Sequence, residues 1–436
     1  MVKGTKHMKI RSIISAAFVI CISLIAQPAF AQGSWTTGAP DPIPGYFSGT
    51  GVINGLLYLA GGGNEDAKQA LQTYDPSTNS WGSGASLPFK ISDQASGVIN
   101  GKLVEAEGWV NADSNSSTTA VEIYDPVTDS WSSGAPASVA RGDTANAVVG
   151  DKLYITGGRA SVGQGPFNSL EIYDALTNSW SLGASVPLAT MNGIGAALGG
   201  KFYVISGSVS STSLVLTGAV QIYDPSSDTW STGASMPTPL AAMTGGVING
   251  RLYVTSGVTA TGDRNSTLQI YDPVSDVWTT GPSAPVGRYG GSSAAVGSAL
   301  YVTGGIDSNG GFLAELDIFS VQEYSAQVQP PINADGSSVF KANRGVVPVK
   351  FTLTLNGVAT CDLPPATIAV TRTAGGTLGT VNESVYSGSA DSGSNFRIDS
   401  CQYVYNLNSS ALGVGTYRVD IIINGQVVGS AVFQLK

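Results

Sequence analysis

The sequence predicts an all-β chain: a six-bladed β-propeller followed by a small, immunoglobulin-like β-sandwich. Three observations carry this. A Trp-x-x-Gly motif recurs at Trp35, Trp81, Trp131, Trp180, Trp230 and Trp278, spaced 46, 50, 49, 50 and 48 residues apart. A fixed period of this length marks one supersecondary unit repeated along the chain. Each unit also carries short β-rich runs separated by turn residues, and the period stops after residue 325.

The first 31 residues are set apart from the fold. Lys3, Lys6, Lys9 and Arg11 precede an apolar run from Ile13 to Ile25, and Ala29-Phe30-Ala31 offers a small-residue cleavage site. This reads as a secretory signal, too short for a membrane anchor. Met8 is an alternative start, since Met8-Lys9-Ile10-Arg11 alone makes a basic region. Lipidation at Cys21 is disfavoured because Ile20 stands where a lipoprotein signal wants a small residue. No later segment is long and apolar enough to span a bilayer.

The units spanning 32–325 share a strand order. Each opens on a small-residue strand and a tight turn, as in Val52-Ile53-Asn54-Gly55 and Val247-Ile248-Asn249-Gly250. Asn-Gly between β-rich runs is a strong hairpin signal. A second strand ends in glycine, as in LYLAGG (57–62) and LYVTGG (300–305). A third carries Tyr74, Tyr124, Tyr173, Tyr223 or Tyr271, each seven residues before a tryptophan. Four short strands per unit make a propeller blade. The sixth unit has Gly304-Gly305 and Ile318-Phe319 but no tryptophan after them, whereas Trp35 has no unit before it. The Trp35 segment is therefore expected to supply the outer strand of the last blade, closing the ring and removing its open edges.

A double glycine followed by spaced Tyr and Trp resembles the kelch-repeat family over about residues 33–325. The resemblance implies a kelch-type propeller, and it implies that basic residues entering the inner strands line the channel mouth. Beyond it, Gln329-Pro330-Pro331 reads as part of a linker over 326–331, and alternating runs such as 349–355 and 417–423 predict the sandwich over 332–436. Val347-Pro348-Val349-Lys350-Phe351, with 396–399 and 402–407, is similar to a PxKF-type domain appended to exported bacterial proteins. That likeness implies an accessory or surface-associated module and no chemistry.

Composition excludes several functions. The formal net charge is −9, and loss of the signal's four basic residues makes it −13, which opposes binding to nucleic acid and anionic membranes. Cys361 and Cys401 remain as an even pair in an exported chain, so a disulfide is expected. It would close 39 intervening residues, worth roughly 3–4 kcal/mol by chain entropy. The single histidine, His7, leaves with the signal, which removes Ser-His-Asp catalysis, His-ligated metals and histidine acid–base chemistry.

Antiparallel blades place the second–third loops and the blade-to-blade loops on one face. These loops vary in length and charge, so a binding site is expected there, around the central channel. Blade two departs from its sisters: Glu105 fills an apolar slot, Glu107 replaces a small residue, and Trp109 lies outside the repeat. Arg159 stands in blade three where blade two has Trp109; Arg141 and Arg288 lie ten residues after a tryptophan, and Lys90 one position earlier. Glu107, Trp109, Arg141 and Arg159, with Arg288 and Lys90, form the candidate ligand set. An aromatic face flanked by charged groups suits a sugar, including an acidic one; drift of blade two, with Glu105 paired to a base, is the alternative. No cofactor is required. Calcium is considered at Glu105, Glu107 and Asp113, and at the loop 307–311, which lacks a closing glutamate.

Kelch copper oxidases need histidine and a Tyr–Cys pair, which this propeller lacks. Sialidase aspartate boxes need a glycine that turns such as Asp129-Ser130-Trp131 do not have. A resemblance to exported kelch-type sialic acid mutarotases leaves Glu107 as a base with Arg141 or Arg159 on a carboxylate. The expectation is a secreted, non-catalytic and monomeric binding protein for an extracellular glycan or protein, with no membrane span. A mutarotase or epimerase acting on an acidic sugar, and a structural envelope protein, are the alternatives.

Overall fold

In a computed structural model, the described residues are 33–111, 116–322, 324–343, 345–381, 391, 395–423 and 426–436. The expected signal segment and Asp113 lie outside them. The described chain divides into two compact units, one running to Gln327 and including Thr352–Leu363, the other made of Val328–Phe351 and Pro364–Lys436. No helix among the described residues is long and apolar enough to cross a membrane.

The N-terminal unit contains six four-stranded antiparallel sheets. Blade one runs through Gly49–Ile53, Leu56–Ala60, Leu71–Asp75 and Ser80–Ser83, from the innermost strand outward. Blades two to five repeat this plan, with innermost strands at Ala95–Ile99, Gly142–Val149, Ile194–Leu198 and Thr244–Ile248. Blade six supplies Ser292–Val296, Ala299–Thr303 and Asp317–Val321, and its outer strand is Gly33–Thr37. Trp35 pairs with Phe319 in register, so the chain's start closes the ring as the sequence predicts.

The repeated residues explain the assembly. Leu57, Leu103, Leu153, Phe202, Leu252 and Leu300 are fully buried at one position of the second strands. Each pairs with the third-strand tyrosine, or with Phe319 in blade six. Full burial of such a side chain stabilises by roughly 1.5–3 kcal/mol. The tryptophans fasten neighbours: Trp131 Nε1 donates to the Ala85 carbonyl at 2.7 Å, and Trp35 Nε1 to that of Pro282 at 2.9 Å. In return, Asp129 Oδ1 accepts from Ala85 N and from Tyr124 Oη, both at 2.7 Å. Asp129 has φ 46°, a left-handed turn that Asp and Asn adopt more readily than other side chains. Equivalent bonds join the other blades, for example Trp180 to Ala135 and Trp230 to Ala184.

The C-terminal unit is all-β, with two five-stranded sheets. Val346–Leu355 alternates in burial, sending Val347, Val349, Phe351 and Leu353 inward; Gly415–Ile423 does the same with Tyr417, Val419, Ile421 and Ile423. Cys361 and Cys401 are disulfide-bonded. Residues 324–329 form one strand, so the expected linker at 326–331 begins inside regular structure.

Candidate functional site: the mouth of the channel

The residues twelve positions after each tryptophan are Phe47, Asp93, Asp143, Asn192, Ala242 and Gly290. All six are left-handed, with φ between 54° and 65°. Their backbones link around the axis: Phe47 N donates to Gly290 O (2.7 Å), Asp93 N to Phe47 O (2.9 Å), and Asn192 N to Asp143 O (2.8 Å). Ala242 N then donates to Asn192 O (2.8 Å) and Gly290 N to Ala242 O (3.0 Å). This collar stands where the blade-to-blade loops enter the innermost strands, on the variable face.

Beyond the collar lies a cavity of about 400 Å³ walled by the innermost strands, including Thr50, Ser96, Asn146, Gly195, Gly245 and Ser293. Short polar side chains satisfy the strand edges here: Ser96 Oγ accepts from Thr50 N at 2.8 Å, and Ser293 Oγ from Gly245 N at 2.8 Å. Gly195 is required for close approach, because a Cβ there would lie 2.2 Å from Asn146 O.

The mouth has two unlike sectors. On blades two to four it presents Asp93, Asp143 and Asn192. Asp143 receives Arg159 Nε at 2.6 Å and Trp109 Nε1 at 3.4 Å, with the guanidinium 5.6 Å from the indole centroid. Asp93 keeps part of its surface open to the channel, yet protein packs closely around its carboxyl. Burial, then the charge and hydrogen bond of Asp143, raise its pKa well above the usual carboxylate range; Ser92 and Arg159 oppose this. The Asp93 carboxyl therefore tends to keep its proton.

Beside it, where the chain enters blades six and one, the sector is aromatic. Phe47 meets Tyr289 edge-on at 5.2 Å, Tyr46 stacks on Phe312 at 6.0 Å, and the Arg264 guanidinium lies 5.0 Å from the Tyr289 ring centroid. Burial and the negative charges of Asp93 and Asp143 push the Tyr289 hydroxyl well up.

The predicted set converges only in part, and mostly away from solvent. Glu107 and Arg141 are fully buried: Arg141 Nε donates to Glu107 Oε2 at 3.1 Å and Nη2 to Glu171 Oε2 at 2.7 Å. Burial first, opposed by Arg141 and reinforced by Glu171, pushes the Glu107 carboxyl up to about 8. Arg288 is also fully buried and pairs with Asp317. These three side chains cannot touch a ligand in the channel, which corrects the expectation placed on them. Trp109 is 3 % exposed and packs on Gly142, so it offers no open face to a sugar. Lys90 pairs with Glu65 outside the channel lining. Arg159 alone of the set reaches the mouth, through Asp143.

Glu105 does not pair with a base. It is buried against Gly49, where a Cβ would meet Oε2 at 2.1 Å, and neither carboxyl oxygen has a well-formed hydrogen bond. Burial pushes its pKa well up, with the Gln94 amide only partly opposing. In the loop 307–311, Asp307 Oδ1 already accepts from Asn309 N (2.8 Å) and Gly311 N (2.7 Å). Among the described residues no three His, Cys, Asp or Glu side chains assemble as metal ligands.

Asp93, Asp143, Phe47 and Tyr289 were not in the candidate set. For the first three the signal is the collar position itself: counting twelve residues from each tryptophan, rather than ten, reads Phe, Asp, Asp, Asn, Ala, Gly, and Tyr289 stands one residue before the last of these.

Known proteins agree with this architecture. The family described as "Kelch motif" matches residues 92–138, 140–187, 195–237 and 239–285, in agreement with a kelch-type propeller. A solved structure described as "Structure of YjhT" is similar at 19 % identity and a TM-score of 0.56, covering 64 % of this chain and 96 % of that one. At that identity the likeness concerns the fold. No curated protein matches the chain.

Proposed function

We propose that this is an exported, non-catalytic binding protein whose propeller holds an extracellular glycan at the channel mouth. The observation that carries it is a shared lining: oxygen-bearing Asp93, Asp143 and Asn192 and the ring of Phe47 wall one cavity of about 400 Å³, with Tyr289 edge-on to Phe47. Pyranose rings present vicinal hydroxyls to such oxygens and an apolar C–H face to aromatic rings, and mostly preformed pockets with a few placed polar groups are the usual small-ligand sites. An acidic sugar is disfavoured, because Arg141 and Arg288 are spent inside the protein and Arg159 on Asp143. The PxKF-type C-terminal domain serves as accessory, and export rests on the N-terminal signal. A glycan array tests the reading. Binding should fall roughly tenfold or more in Asp143→Asn and in Tyr289→Ala, while a partner protein captured at the same mouth would replace the glycan.

Two neighbouring carboxyls on the cavity wall, with that of Asp93 raised by burial and by Asp143, favour one second reading, sugar mutarotation, in which one carboxyl donates to and the other accepts from a hemiacetal. Anomeric exchange of reducing sugars followed by NMR, with Asp93→Asn as control, decides it. Unchanged exchange rates remove this reading.

A further inference from the structure

The mouth holds two carboxyls at neighbouring collar positions, and every cation near them is already engaged. Arg159 is bonded to Asp143 and stacks near Trp109; Arg264 lies over Tyr289 and donates to Asp307 O at 3.3 Å. Next to Asp93 in the collar stands Phe47, whose ring meets the half-buried ring of Tyr289 edge-on. Carboxylate oxygens beside aromatic rings suit a cation, since ring faces attract positive charge. The chain's net charge of −9 acts in the same direction at long range. A neutral sugar would use the hydroxyl-binding oxygens but not this charge arrangement.

We propose that the mouth selects an amine-bearing saccharide, whose ammonium docks between Asp93 and Asp143 while its ring lies against Phe47 and Tyr289. This rests on the glycan-binding reading and specifies its ligand class. The groups facing Asp93 are Asp143 and Arg159 from blade three, Ser92 from its own loop, and Tyr46 and Tyr289 from the aromatic sector. At rest burial and the neighbouring Asp143 favour the protonated form of the Asp93 carboxyl. When the ammonium arrives, the Asp93 carboxyl gives that proton to solvent and becomes a carboxylate facing the ligand. Binding is thus an exchange of one positive charge for another, with no net change of charge at the mouth.

The test is calorimetric titration of the mature protein with a glucosamine oligosaccharide and its N-acetylated counterpart. It is run at about pH 6, where an amine keeps its charge, in two buffers of different ionisation heat. The amine form should bind roughly tenfold or more tighter than the acetylated form, with proton release. Asp93→Asn, a near-isosteric change that also tolerates the left-handed backbone, should abolish both the preference and the release. Thermal melting confirms that this variant folds, and Tyr289→Leu should weaken both ligands alike. Equal binding of the two saccharides, or amine binding without proton release, overturns amine selection and leaves glycan binding standing. Binding of neither overturns glycan binding itself. Oligolysine outcompeting the amino-oligosaccharide overturns the saccharide assignment.

Discussion

Arg141 and Arg288 stand at the same point of the repeat, and the chief difference around them is a second carboxylate on Arg141. Each lies in a loop entering a blade, fully buried, and each meets a carboxylate two residues before the third-strand aromatic: Glu171 before Tyr173 for Arg141, Asp317 before Phe319 for Arg288. Each also donates from Nη1 to backbone carbonyls, to Gly157 O at 3.3 Å in one case and Gly304 O at 3.0 Å in the other. Only Arg141 has a second carboxylate, Glu107, reaching from the preceding blade to its Nε. The same position in blade five is Ser256. There Arg288 Nε, Ser256 Oγ and Asp317 Oδ1 all lack hydrogen-bond partners among the described residues. Glu107 and Ser256 share a left-handed backbone, with φ 60° and 61°, so the difference lies in the side chain alone. What looks in the sequence like a drifting blade with a ligand site is a buried lock between blades two and three.

The largest effect should come from removing the cation of the complete lock. Arg141→Ala leaves two carboxyls facing each other in a site with no exposure to solvent. Breaking a buried pair from one side typically costs about 3–5 kcal/mol, and here two partners are stranded. Arg288→Ala strands one and should cost less. Urea unfolding of both variants checks the order, and an equal or reversed loss breaks the comparison.

The second effect is a pH dependence carried by Glu107. Its carboxyl is pushed from 4.5 up to about 8 in the folded protein, chiefly by burial. Between those values the native state holds a proton that the unfolded state has released, so stability falls as pH rises through the window. Physically, a proton lets one guanidinium face two carboxyls with a single negative charge. Glu107→Gln should flatten that part of the stability profile, while Glu105 and Asp317, also raised by burial, keep a slope of the same sign. A profile in Glu107→Gln identical to wild type would show that Glu107 is ionised in the fold.

The repeat was legible because it is written in residues that have only one use. Trp, Tyr and the left-handed Asn or Asp recur at fixed offsets, and they are the side chains that bond one blade to the next. Ring closure by Trp35 followed from the same count. The site was less legible, because charge and aromaticity do not reveal which way a side chain faces. Arg141, Glu107 and Trp109 are conspicuous in sequence since a buried polar network needs unusual residues. Asp93 and Asp143 are inconspicuous, being aspartates in turn-rich loops, and only the collar gives them a common axis.

The smallest effect would sharpen the comparison by making the two locks alike. Ser256→Glu places a carboxylate where Glu107 sits in blade two, at a backbone angle that already carries a glutamate in that blade. The new side chain can accept from Arg288 Nε, a donor that has no partner among the described residues, and a hydrogen bond to a charged group is worth about 1.5–3 kcal/mol. Against this stands the desolvation of a second carboxyl, which in buried pairs offsets most of the gain. A net stabilisation of about 1 kcal/mol or less is expected in urea unfolding, accompanied by a steeper fall of stability with rising pH. The pH slope is the sharper readout, since it reports a protonated carboxyl regardless of the net gain. If stability and slope both stay at wild-type values, the introduced carboxylate has turned away from Arg288, and the blade-two lock depends on more than one side chain.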